Sequence, residues 1–174
     1  MKIKAALVRE QEQPFVIAEV ELDDPRPNEA VVRIASSGLC HTDLVTRDGY
    51  YKIPWPCVLG HEGAGIVEEV GSQCANVQPG DHVVLGFKGC GTCANCLHGT
   101  PYCENAWQVL YGMARADGSP TMRHGTDVVH ANFFGQSSFA THALVRADSL
   151  VKVRKDVPLD MLGPFGCSVE TGAG

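Results

Sequence analysis

The chain has 174 residues, 44% of them hydrophobic, enough to bury an ordinary core without covalent staples. A net charge of −6 with no basic run argues against nucleic acid as a partner. The opening "MKIKAALVREQEQPF" has no apolar run of signal-peptide length and no segment approaches a membrane span, so reduced thiols in a cytoplasm are expected, with no membrane partner.

In chain order, "IKAALV" and "FVIAEVEL" read as strands, being short and rich in β-branched residues. The turn chemistry of "DDPRPNEA" separates them from a third strand, "AVVRIAS". "HTDLVTRDG" predicts a short helix capped by Thr42. Two further strands, "GIVEEV" and "DHVVLGF", flank the turn "NVQPGD". The stretch from Glu104 to Asn132 has no usable period, whereas "SFATHALVRADSLVKV" reads as two strands around an Ala147-Asp148 turn. Near the end, "KDVPLDMLGPFGCSVETGAG" predicts a helix with Asp156 as N-cap and Pro158 in its first turn. Many short strands joined by turns predict a mainly β fold, a small barrel with few helices.

Chemistry concentrates in "GCGTCANCLHGTPYC". Cys90, Cys93 and Cys96 are spaced C-x2-C-x2-C, and six residues separate Cys96 from Cys103. Four thiolates closing a tetrahedron satisfy a structural Zn2+, and the intervening glycines with Pro101 allow the tight turns that wrapping needs. An iron-sulfur cluster uses similar ligands, and a cysteine-rich loop without metal is the plainer alternative. Disulfides are disfavoured because a chain of this length has no need of them.

Three other segments matter: "GLCHTD", "GHEGAG" and "GPFGCSVETG". Each is weak alone, since a lone Cys is usually a small buried hydrophobe and a glycine pair usually marks a turn. Together they offer Cys40, His61 and Cys167, two thiols and an imidazole with the open fourth position of a catalytic zinc. Spacing alone does not assemble ligands from such distant places. Tyr50, Tyr51, Trp55 and Phe134 read either as an aromatic slot or as barrel core. Cys57 and Cys74 have no partner in either set, and His82, His98, His124, His130 and His142 read as surface or turn residues.

The ordered set "GLCHTD", "GHEGAGIVEEVG", "PGDHVV", the four-cysteine lobe and "GCSVETGAG" resembles the zinc-dependent medium-chain alcohol dehydrogenases over essentially the whole chain. "CHTDLVTRDGYY" and "FFGQSSFATHALV" look most like the aryl-alcohol (benzyl-alcohol) branch. The resemblance implies a GroES-like, partly open β-barrel over residues 1–155, with a four-cysteine zinc lobe at about 88–105. It implies two zinc ions, a catalytic one on Cys40, His61 and Cys167 and a structural one on Cys90, Cys93, Cys96 and Cys103. Thr42 then accepts the alcohol proton, Asp43 holds the far nitrogen of His61, and Glu62 sits behind the metal. By the same likeness His41 meets the pyrophosphate of an NAD(P) cofactor and Thr171 lies beside its nicotinamide.

Departures accompany the likeness. The family's lobe has seven residues where this chain has six between Cys96 and Cys103, and Val45 stands where many relatives carry a proton-relaying histidine. No G-x-G-x-x-G dinucleotide fingerprint occurs. Residues 156–174 are accordingly expected to start a linking helix toward a Rossmann domain in a longer, oligomeric enzyme that oxidises small alcohols to aldehydes. A chain of this extent is then expected to be inactive alone. The contrasting expectation is a stand-alone barrel serving as a binding or assembly module, for which the Cys40, His61 and Cys167 set has no use.

Overall fold

The computed structural model describes every residue except Lys88 and Pro101, so the expected start of the lobe and its turn-forming proline lie outside the described residues. Two five-stranded sheets form the body. The first joins β1 (Lys2–Val8), β2 (Val16–Leu22), β4 (Cys57–Val58), β7 (Met122–His124) and β8 (Asp127–Val129) in the order β4-β1-β2-β7-β8. The second joins β3 (Glu29–Ser37), β5 (Gly63–Val70), β6 (His82–Leu85), β9 (His142–Arg146) and β10 (Leu150–Lys152) in the order β10-β6-β5-β3-β9.

Alternation within the strands explains the packing. β1 buries Ile3, Ala5 and Leu7 while Lys2 and Lys4 stay in water, and these side chains meet Val31 of β3 and Leu144 of β9 in one apolar cluster. Ala6 N–H donates to Phe139 O and Thr141 N–H to Lys4 O, so the segment entering β9 stitches the two sheets together. The result is the mainly β, barrel-like body expected. The other face of the second sheet buries Val32, Val67, Val83 and Val145. No described helix is long and apolar enough to cross a membrane.

Several local expectations change. The first helix, α1 (His41–Arg47), is capped by Cys40 and not Thr42, because Cys40 is the last extended residue (φ −90°, ψ 152°) and its N–H donates to the Asp43 carboxylate. Asp156 caps no helix, since its carboxylate accepts from Arg154. In place of one continuous helix, 3-10 turns at Leu159–Met161 and Gly163–Gly166 precede α4 (Ser168–Ala173), with Pro164 early in the second turn. The stretch without a period holds β7, β8 and α3 (Ala106–Tyr111), elements of three to six residues that are too short to show one. A further short helix, α2 (Ala94–Leu97), lies inside the lobe. His82 and His142 are strand residues: His82 Nδ1 is buried without a partner among the described residues, and His142 Nε2 lies 3.1 Å from Glu68.

Candidate functional site

Three segments distant in sequence meet at one end of the second sheet. The first leaves β3 through Gly38 to Cys40, the second runs from β4 into His61 and Glu62, and the third carries Cys167 between a 3-10 turn and α4. One ligand atom from each of Cys40, His61, Glu62 and Cys167 lies within 4.8 Å of all the others. The approach demands small residues. A side chain at Gly38 would put its Cβ 1.9 Å from Glu62 Oε2, and Gly38 N–H donates to Glu62 O at 2.9 Å.

Asp43 organises this junction. Fully buried, it accepts from Cys40 N–H at 3.1 Å and from Gly60 N–H at 2.9 Å, and its Oδ1 lies 3.1 Å from His61 Nδ1. One carboxylate thus ties the ligand-bearing end of α1 to the ligand-bearing turn before β5. Holding the proton on Nδ1 leaves the Nε2 lone pair free, and Nε2 is buried with no hydrogen-bond partner among the described residues. Gln136 braces the other side, donating to His61 O at 2.9 Å and accepting from Gly63 N–H at 3.0 Å. The buried Glu62 carboxylate accepts from Ser168 N–H at 3.2 Å, which anchors α4 to the same point.

The electrostatics call for a cation. Burial opposes ionisation of Cys40, but the Thr42 amide and hydroxyl and the His61 ring outweigh it and lower the thiol. Thr42 Oγ1 lies 3.6 Å from Cys40 Sγ. Burial likewise opposes protonation of His61, yet Asp43 and Cys40 raise the imidazole. Cys167 is pushed up to about 12 by burial and by the neighbouring Cys40 and Glu62 charges. Sulfur, sulfur and carboxylate at this range repel when ionised, and a buried orphan imidazole nitrogen faces them. A divalent cation resolves both costs, so the residues fit a zinc ion.

The four cysteines of the lobe form the second cluster, Cys90, Cys93, Cys96 and Cys103, also within 4.8 Å. Their sulfurs accept from backbone N–H groups: Cys90 Sγ from Cys93 at 3.3 Å, Cys93 Sγ from Cys96 at 3.5 Å and Cys103 Sγ from Cys90 at 3.3 Å. The Thr92 hydroxyl and the Asn105 amide lower the Cys90 thiol to about 5, whereas at Cys96 the Gly91 amide is outweighed by Cys93, burial and Cys103, which push that thiol up to about 11. All eight cysteines are free thiols, and the six-residue spacing still brings Cys103 into the cluster.

Aromatic rings lead away from His61. Phe134 stacks on the imidazole at 4.6 Å, Tyr111 meets Phe134 at 5.2 Å, and both Tyr51 and Trp107 lie 4.6 Å from Tyr111. Phe134 holds a left-handed backbone, φ 50°, unusual for a bulky residue. Tyr50 is exposed and edges onto Tyr51, while Trp55 packs beside the buried Ile53, Leu59 and Phe133 as barrel core.

Residues 26–155 match the alcohol dehydrogenase GroES-like domain model, well over half of the chain. The chain belongs to this family. It is 47% identical over 175 residues to a geraniol dehydrogenase of Castellaniella defragrans, covering 98% of this chain and 46% of that one. The crystal structure of an alcohol dehydrogenase zinc-binding domain protein from Burkholderia ambifaria superposes with a TM-score of 0.95 at 45% identity, over 99% of this chain and 47% of that one. That of a benzyl alcohol dehydrogenase from Acinetobacter calcoaceticus gives 0.92 at 41% identity, over 99% and 47%. The chain therefore spans about half the length of the relatives it matches.

Against that family, the structure brings Cys40, Thr42, Asp43, His61, Glu62 and Cys167 together, and leaves His41 and Thr171 exposed on α1 and α4. Sequence reasoning missed Gln136, Trp107 and Tyr111. Gln136 had one signal, an amide amid the small and aromatic residues of "FFGQSSFA".

Proposed function

We propose that the chain is the zinc-bearing part of an NAD(P)-dependent alcohol dehydrogenase that oxidises aryl, benzyl-type primary alcohols to aldehydes. The observation that carries this reading is the convergence of two thiols, an orphan imidazole nitrogen and a carboxylate within 4.8 Å. Cys40, His61 and Cys167 would hold the catalytic zinc and the four lobe cysteines the structural one. Bound at the first site, the metal would supply Lewis acidity that lowers the pKa of an alcohol hydroxyl.

The chain's own residues supply the rest. Thr42, set beside Cys40 by the first turn of α1, accepts the hydroxyl proton as the carbonyl forms and passes its own hydroxyl proton on to solvent water in the same step. Asp43 keeps His61 in one tautomer, and Glu62 stands behind the ligand set as a carboxylate able to approach it during ligand exchange. The hydride from the alcohol carbon needs an acceptor, for which NAD(P)+ held by a Rossmann domain is proposed, with residues 156–174 leading toward it. His41 and Thr171, both exposed, are assigned to that cofactor. Phe134, Tyr111 and Tyr51 provide the flat apolar surface that favours an aromatic ring. Residues 1–155 form the catalytic domain of an enzyme proposed to be cytoplasmic and homo-oligomeric.

The test is metal content by elemental analysis of the Cys40→Ser variant. It should hold one zinc fewer than the unmodified chain while far-UV circular dichroism and the lobe metal persist. Loss of both metals together would overturn the assignment of two independent sites.

A further inference from the structure

Asn105 occupies the N-cap position of α3, where an asparagine normally turns its side chain onto the helix's own first amides. Here it makes no such bond. Its Nδ2 instead donates to Cys90 Sγ at 3.3 Å, so the residue that should cap the helix is diverted to the four-cysteine cluster. A second link acts beside it, from Ala106 N–H to Cys103 O at 3.1 Å.

The helix so tethered packs on the barrel at its C-terminal end, where Tyr111 lies against the cluster that buries Met113 and Phe133. No residue of α3 is fully buried, and a cavity of about 310 Å3 lies along it, reached by Asn105, Gln108 and Val109 on one side and by Phe134 and Arg146 on the other. Packing against the barrel core thus falls at the Tyr111 end of α3, and Asn105 holds the opposite end. Yet α3 carries Trp107 and Tyr111, stacked at 4.6 Å and 27°, and Tyr111 continues the aromatic row that ends on His61. Trp107 is 55% exposed at the outer end of that row.

We propose that the four-cysteine lobe is a specificity device as well as a staple: through the Asn105 amide on Cys90 Sγ it fixes α3, and with it the Trp107–Tyr111 wall that selects an aromatic ring on the alcohol. The proposal rests on the aryl-alcohol reading for its substrate and on the geometry alone for its tether. Asn105 is a positioning residue in this scheme, acting through Trp107 and Tyr111.

The experiment compares Asn105→Ala with Thr92→Ala in the zinc-loaded chain. Both side chains are exposed and both donate to Cys90 Sγ, but only Asn105 adjoins α3. Near-UV circular dichroism reads the stacked pair, with Trp107→Phe identifying its band, and calorimetric titration compares benzyl alcohol with cyclohexylmethanol. Asn105→Ala should lose the band and lower the preference for benzyl alcohol by about threefold or more, the scale of one aromatic contact. Thr92→Ala should leave both readouts in place. An unchanged band in Asn105→Ala, or equal changes in the two variants, would overturn the proposal. If the unmodified chain shows no preference for benzyl alcohol, the aryl reading fails while the band still decides the tether.

Discussion

The two oxygens of Asp43 meet Cys40 N–H, Gly60 N–H and His61 Nδ1, so replacing this residue disturbs a ligand's orientation without removing a ligand. Asp43→Asn should weaken metal binding at the Cys40, His61 and Cys167 site by about 10- to 100-fold, measured by competition with a chromophoric chelator. Unchanged affinity would mean that the carboxylate only stabilises the fold. The sequence made the ligand types legible through "GLCHTD", "GHEGAG" and "GCSVETG", and Asp43 with them. It did not show Gln136, whose contacts to Gly63 and His61 lie 73 and 75 positions away and leave no local period.

At the level of elements, strands were readable because β-branched runs alternate between core and water, as in β1. Cap positions were not, since Cys40 and Asp156 take their roles from the partners they meet in the folded chain. The turn between β4 and β5 shows what a single position carries. Gly60 has φ +92°, and a Cβ there would lie 2.4 Å from Phe139 N. Gly60→Ala should therefore cost about 1–3 kcal/mol in denaturant unfolding and displace His61 beside it. The turn before β6 carries a pH dependence. Burial works against the Asp81 carboxylate, but the Gln78 amide and the Lys152 ammonium outweigh it and lower its pKa. A lowered carboxylate contributes stability that is present above its unfolded value of about 3.9 and lost as pH falls through the folded one. Asp81→Asn should flatten the acid limb of the stability curve, and an unaltered limb would remove Asp81 from that account.

Across the whole molecule, two sheets position a convergent site at one end while a separate lobe closes on its own four sulfurs. If the lobe is a staple, Cys93→Ser should lower stability by about 2 kcal/mol, a fall in Tm of about 4–8 °C for a chain of this size. An unchanged melting curve would refute that role. Both clusters of candidate metal ligands were anticipated from motifs and the family resemblance, but spacing is silent on how β3, β5 and α4 meet. The most direct measurement of the central claim is zinc per chain by elemental analysis, after purification without chelator or added metal. The account predicts two, one of which disappears in Cys40→Ser and the other in Cys93→Ser. A single zinc, unaffected by Cys40→Ser, would contradict it.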